Sequence, residues 1–139
     1  MPISSTRDIQ WRKISASDQN VLEVLDTACR QADGDEPVSN LIGDAISNAE
    51  ANFPTLCGLA DDNIIAAGWV KPGLQRIDLG GRVHPDWRRL GVGEHLLTWS
   101  EEQALGMIQS HDPVKIIITN EALTPGAHLL YIRHGYQQL

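Results

Sequence analysis

The stretch Val83-His84-Pro85-Asp86-Trp87-Arg88-Arg89-Leu90-Gly91-Val92-Gly93 decides how this chain is read. Before it, Gln75 to Val83 has the composition of a strand, and after it the sequence predicts a helix from about Gly91 to Gly106. The stretch is therefore a strand-to-helix turn. Gly91 and Gly93 carry no side chain, so a ligand can approach the backbone closely there. The first amides of a helix have no intrahelical partner, and the helix dipole adds partial positive charge beside them. Together these features make an anion site, best suited to a phosphate. Arg88 and Arg89 can add charge-assisted contacts to phosphate oxygens. Two commoner phosphate motifs are excluded by spacing. A P-loop requires lysine and Ser/Thr after its second glycine, where this chain has Glu94-His95. The dinucleotide fingerprint requires a third small residue where this chain has Leu96. On its glycines alone, the turn is a generic anion site.

Working outward, the chain reads as one α/β unit. Ile9 to Ile14 alternates and forms a first strand. Ser17 and Asp18 offer a cap to a helix reaching about Ala32, with Val21, Leu22, Leu25 and Ala28 on one face. Asp33 to Pro37 is a loop, and Ser39 or Asn40 caps a second helix through Ala51. Thr55 to Ala60 and Ile64 to Lys71 are strands flanking the turn Asp61-Asp62-Asn63. Pro72-Gly73 is read as the next turn. Val114 to Thr119 is a buried strand, and Thr124-Pro125 opens a last helix that Gly135 ends. The order is β-α-α-β-β-β-α-β-α, which predicts a mixed sheet with helices on both faces and a parallel last strand. No repeat or interdomain linker divides residues 1–139, so a single domain is expected.

Composition narrows the class. The 139 residues carry a formal net charge of −7, which argues against non-specific nucleic-acid binding. No segment has the length and apolarity of a membrane span or signal peptide. Cys29 and Cys57 sit in apolar surroundings without zinc or redox spacing, as buried thiols of a reducing compartment do. A soluble cytoplasmic protein is the expectation. His95, His128 and His134 share no ligand spacing, so they are read as surface or packing residues and no metal is expected.

Arg88-Arg89-Leu90-Gly91-Val92-Gly93 resembles the Gln/Arg-x-x-Gly-x-Gly/Ala signature of the GCN5-related N-acetyltransferase (GNAT) superfamily. Asn120, Ala127, Leu130-Tyr131 and Gly135-Tyr136 resemble that family's second signature, in the right order on the right elements. The likeness spans roughly Ile9 to Tyr136. A shorter likeness, Ala32-Asp33-Gly34 with Pro37-Val38, is similar to tandem GNAT proteins of the mycothiol synthase kind. The resemblance implies a GNAT-type, mostly antiparallel twisted sheet that splits at one end to admit acetyl-CoA. It implies that Val83 pairs with the pantetheine arm, that Arg88, Arg89, Leu90, Gly91, Val92, Gly93 and Glu94 wrap the pyrophosphate, and that Asn120 reaches the pantetheine side. It implies transfer of acetyl to a small-molecule or peptide amine by direct attack. No Cys-His or Ser-His pairing for a covalent route is readable around the cysteines.

Within that likeness, Tyr131 holds the position of the acid that protonates the leaving thiolate. Its other use is to pack the last helix. Asp78 lies where some members carry a catalytic carboxylate, and His84 and His111 are further candidates for a base acting through water. Trp69 is read as core, and Trp87 as an aromatic packed at the surface. The family continues into two more strands that complete the sheet and help form the acceptor pocket, whereas this sequence stops at Leu139. A domain of a longer protein, a short form, and a sheet completed by a homodimer or tandem GNAT partner are the three readings, the first favoured. A non-catalytic acetyl-CoA-binding module is the alternative to the enzyme.

Overall fold

The computed structural model describes residues 8–33, 41–108, 114–118 and 125–137. Its elements are β1 (Gln10–Arg12), α1 (Gln19–Asp33), α2 (Leu41–Glu50), β2 (Thr55–Ala60), β3 (Asn63–Gly73), β4 (Arg76–Val83), α3 (Val92–Met107), β5 (Lys115–Ile118) and α4 (Pro125–Arg133). This is the expected order. The caps expected at Ser39 or Asn40 and at Thr124, and loop residues 34–37, lie outside the described residues.

The sheet runs β1-β2-β3-β4-β5, antiparallel throughout except that β4 and β5 are parallel. α3 makes the crossover between those two parallel strands, as the sequence predicts. The β2–β3 turn is built from Asp61 (φ 50°) and Asp62 (φ 66°). Positive φ at both central positions matches the twist of the flanking strands. The β3–β4 turn is not Pro72-Gly73 but Leu74-Gln75, because β3 continues and Pro72 pairs with Ile77. Val70 directs its N–H to the Pro54 carbonyl on the β2 side (3.0 Å). Two residues on, the Pro72 nitrogen faces the same way, beyond the last β2–β3 pair at Thr55 and Trp69. Its missing N–H therefore leaves no ladder bond unmade.

The helix cap is also shifted from the reading. Ser15, rather than Ser17 or Asp18, caps a 3₁₀ turn over Ala16–Asp18 that leads into α1, and Asp18 completes the capping box. β1 ends early because the Ile14 N–H leaves the ladder and donates to Thr55 Oγ1 at 3.0 Å.

Alternation along the strands feeds two cores. On one face, Leu22, Leu25 and Cys29 of α1 and Leu41 and Ala45 of α2 pack on Cys57, Ala67 and Trp69. On the other, Leu97 and Ala104 of α3 pack on Val70, Ile77 and Leu79, joined by Leu130 and Tyr131 of α4. α3 lies close to the sheet, where Leu96 rests on Gly68 and Gly81; a Cβ would collide with it at Gly68 and crowd it at Gly81. Burying one leucine fully, as at Leu22, stabilises by about 1.5–3 kcal/mol. A register shift between Gly58 and Leu59 leaves Ile65 as the extra residue of β3. Ile65 and Ala66 consequently pack on the same side, in a third cluster with Val92, Val83 and Trp87.

Candidate functional site

The site begins beyond the last described pair of β4 and β5, Leu79 with Ile118. β5 pairs with β4 from Arg76 to Leu79, whereas β4 runs on to Val83. No strand covers that side of Gly80–Val83 among the described residues. The His84 N–H points to β3, bonding the Ile65 carbonyl at 2.8 Å. The alternation of a strand then turns the amides and carbonyls of Gly81 and Val83 to the open side. Their carbonyls have partners there: the Gly81 oxygen accepts from Arg82 Nη1 (2.8 Å) and the Val83 oxygen from Arg88 Nε (3.0 Å). Cys29 Sγ also approaches the Val83 oxygen, at 3.5 Å.

β4 leads directly into the turn at Arg88 to Gly93. Pro85–Trp87 forms a 3₁₀ turn capped by His84, whose Nδ1 accepts the Asp86 N–H at 3.1 Å. This engages one of the histidines considered as a base. Arg89 has φ 63° and Gly91 has φ 84°, so the chain takes two left-handed steps before α3. Gly91 is the N-cap and offers no side-chain bond to the helix. The first intrahelical bond runs from the His95 N–H to the Gly91 carbonyl (3.0 Å). Val92, Gly93 and Glu94 therefore present amides that have no acceptor within the helix. The two glycines act differently: Gly91 supplies the positive φ, whereas Gly93 is helical. A Cβ on Gly93 would meet Leu130 and Val83 at ordinary distances of 3.5 and 4.0 Å. A cleft of about 470 Å³ opens beside Gly91 along α3, lined by Gly91, Glu94, His95, Thr98, Trp99 and Glu102.

α4 brings Tyr131 to the same side of the sheet as α3, where it is half-buried. The end of α4 is a Schellman motif. The Tyr136 N–H bonds the Tyr131 carbonyl and the Gly135 N–H bonds the Ile132 carbonyl, each at 3.0 Å, with Gly135 at φ 88°. The hydrophobic contact usual to that motif is the edge-on meeting of the Tyr131 and Tyr136 rings, centroids 6.4 Å apart. This termination fixes His134 against α3. Its Nδ1 lies 2.6 Å from Glu101 Oε1 and its Nε2 2.9 Å from Glu94 Oε1. The Tyr136 hydroxyl donates to Glu101 Oε2 at 3.0 Å. Burial and Glu101 both push the Tyr136 pKa up.

Sequence reasoning missed this cluster, having read His134 as a surface or packing residue. The available signal was Glu94 and Glu101, spaced to share a face of α3, with a histidine just before the glycine that ends α4. The stacking of Trp11 on His95, with ring centroids 4.3 Å apart, was also unread.

Asp78 lies on the opposite face of β4 from Tyr131, one residue before the last described β4–β5 pair. Arg76 holds its carboxylate, with Nε at 3.1 Å and Nη2 at 2.5 Å from Oδ1. Asn120 and His111 lie outside the described residues. Trp69 is core, as read. Trp87 is half-buried and packs in the cluster of Val83 and Val92. Both cysteines are buried thiols outside any disulfide, and burial pushes the Cys57 thiol up to about 11, away from nucleophilic use. Among the described residues, no group of three or more His, Cys, Asp or Glu side chains is arranged to hold a metal. No helix of the described residues is long and apolar enough to cross a membrane.

A family model described as an acetyltransferase (GNAT) domain matches residues 54–138, more than half of the chain. No curated protein sequence matches the chain. Among solved structures, it is similar to a GCN5-related N-acetyltransferase from Sphaerobacter thermophilus, with TM-score 0.79 and 24% identity over 96% of this chain and 45% of that one. The chain thus spans less than half the length of that protein. It is also similar to PaiA N-acetyltransferase from Thermoplasma acidophilum in complex with coenzyme A, with TM-score 0.65 and 16% identity over 93% and 89% of the two chains. A predicted acetyltransferase from Clostridium acetobutylicum with acetyl-CoA gives TM-score 0.67 and 16% identity over 94% and 91%. Such identities carry the fold alone; the family itself rests on the match over β2 to α4. The chain belongs to the GNAT acetyltransferases.

Proposed function

We propose that this chain is an acetyl-CoA-dependent N-acetyltransferase that moves acetyl to a primary amine by direct attack. The observation that carries the reading is one continuous path. The edge of β4 from Gly80 to Val83, which no described strand covers, leads through the turn to the start of α3, whose first amides have no acceptor within the helix. An extended amide-bearing arm ending in a pyrophosphate has the matching chemistry: its amides pair with a strand edge and its anion meets a helix N-terminus. Two structural neighbours, one with coenzyme A and one with acetyl-CoA, support the same assignment.

In this reading the Gly81 and Val83 amides hold the pantetheine. The amides of Val92 to Glu94 hold the pyrophosphate, with Arg88 and Arg89 beside them. The neutral amine attacks the thioester carbon, the carbon–sulfur bond breaks, and the departing thiolate takes a proton from the Tyr131 hydroxyl. The attacking nitrogen loses its surplus proton to water or to a base, and the Tyr131 phenolate regains a proton from solvent. Asp78 is a candidate for that base once Arg76 releases its carboxylate. No thiol of the chain forms an acyl intermediate.

Incubating the chain with acetyl-CoA and a panel of primary amines tests this. The expected result is release of one free thiol per amide formed. Tyr131→Phe should lower kcat by about 10²-fold or more, as loss of a positioned acid does, with coenzyme A affinity nearly unchanged. Unchanged turnover in that variant removes the acid role from Tyr131. The 45% coverage of the Sphaerobacter protein favours a second reading, a coenzyme A-binding half of a tandem protein. Tight binding without turnover on any amine would select it.

A further inference from the structure

We propose that His134 is a positioning residue of the cofactor site, which draws Glu94 away from the first turn of α3 and neutralises it, so that the turn's amides remain available to the pyrophosphate. The inference rests on the acetyl-CoA reading above.

The geometry defines a protonation state. A neutral imidazole has one N–H and one lone pair, while an ionised carboxylate only accepts. Here both ring nitrogens meet carboxylate oxygens, Glu101 at 2.6 Å and Glu94 at 2.9 Å. Two ionised carboxylates require two donors, which only the imidazolium supplies. Tyr136 donates to the second oxygen of Glu101, so that carboxylate has a donor at each oxygen. The titratable groups that meet the His134 ring are Glu94 and Glu101 from α3, and Tyr136 of its own segment reaches it through Glu101.

The placement of Glu94 gives the contact its consequence. Glu94 is the acidic residue of the first turn of α3, three positions after the Gly91 N-cap. A glutamate there ordinarily reaches back to the helix's own N-terminal amides. In this site it would compete with a pyrophosphate for those amides and repel it. Instead, its Oε1 turns to α4. His134 is fixed to receive it by the Schellman bonds of Gly135 and Tyr136. Both helix dipoles agree with the pair, with a carboxylate at the start of α3 and a cation at the end of α4.

Burial of the ring, the largest influence, opposes its charge. The bonds to Glu101 and then Glu94 together outweigh burial and raise its pKa above the ordinary 6.5. The sign follows. The contribution is full below about 6.5 and is lost as pH rises through the raised value.

Calorimetric titration of the full chain with coenzyme A, from pH 6 to 9.5, tests the proposal in four proteins: wild type, His134→Gln, Glu94→Gln and the double variant. Wild-type affinity should fall about 2- to 5-fold at alkaline pH relative to Glu94→Gln, the scale of one charge at a helix terminus. His134→Gln should bind weakly at every pH. Adding Glu94→Gln to it should restore the affinity, which a merely structural latch would not do. Coenzyme A's own ionisations are common to all four proteins and cancel in the comparison. If the wild type binds and the four profiles superimpose, or the double variant is not rescued, the inference is wrong while the acetyl-CoA reading stands. If the wild type binds no coenzyme A at any pH, the acetyl-CoA reading falls and the inference falls with it.

Discussion

At Gly80 the sheet has no room for a methyl group. The Trp69 indole lies over the position that a Cβ would occupy, and Trp69 is itself 6% exposed and packed against α1 and α2. Gly80→Ala must push that ring into a filled core, so a loss of about 1–3 kcal/mol is expected in chemical denaturation. Gly93→Ala is the contrasting case. Its Cβ finds ordinary contacts with Leu130 and Val83, and alanine favours a helix by about 0.5–1 kcal/mol. That variant should be neutral to mildly stabilising and keep its coenzyme A affinity; a loss of stability would show that the first turn of α3 is packed more tightly than its distances indicate. The sequence identified Gly91 and Gly93 together, because both suit a ligand's approach. It did not separate them, since φ belongs to the folded turn and not to the residue name. Gly80 escaped notice because the tryptophan above it comes from the neighbouring strand.

At the scale of the element, alternation and turn chemistry carried most of the fold, and the errors are local. Pro72 reads as a turn residue, but that reading ignores which side its nitrogen faces and that β2 has already ended there. Ser15 was passed over because Ser17 and Asp18 are equally good caps by type, and the choice is made by a contact from β1. Arg12 reaches Asp18 with both terminal nitrogens, at 2.8 and 2.9 Å, and the Ser15 N–H adds a third bond at 2.7 Å. The Arg12 hydrogen bond, opposed by burial and aided by Ser15, holds the Asp18 carboxyl below its usual range. A depressed carboxylate pKa contributes stability above the unfolded value of about 3.9 and loses it as pH falls through the folded value. Asp18→Asn should therefore cost about 1–2 kcal/mol at neutral pH, the scale of a lost cap, and progressively less as pH falls below about 3.9. Denaturant titrations across that range would show the gap closing. A gap independent of pH would mean that the amide's shape, not the charge, is at fault.

For the whole molecule, the decisive contacts join residues far apart in sequence. Glu94 and His134 are separated by 40 positions and Glu101 and His134 by 33, so no window of the chain contains the cluster. It exists because α3 and α4 pack side by side on one face of the sheet, and the sheet is what makes that face. β3 serves both cores, giving Ala67 and Trp69 to one and Val70 to the other. Its buried run from Ile64 to Val70 lies between β2 and β4, so its amides should exchange with solvent slowest and do so only on global unfolding. Beyond Leu79, at the end where β4 meets α3, β4 has no described partner on its β5 side. Hydrogen exchange with and without coenzyme A should resolve the two regions. With ligand at ten times its Kd, the amides of Gly81, Val83, Val92, Gly93 and Glu94 should slow by up to about 10-fold more than any stabilisation of β3 accounts for. Protection spread evenly over β3 and β4, with no excess at those five amides, would mean that coenzyme A stabilises the fold from elsewhere. The strand edge and helix start would then lose their role as its site.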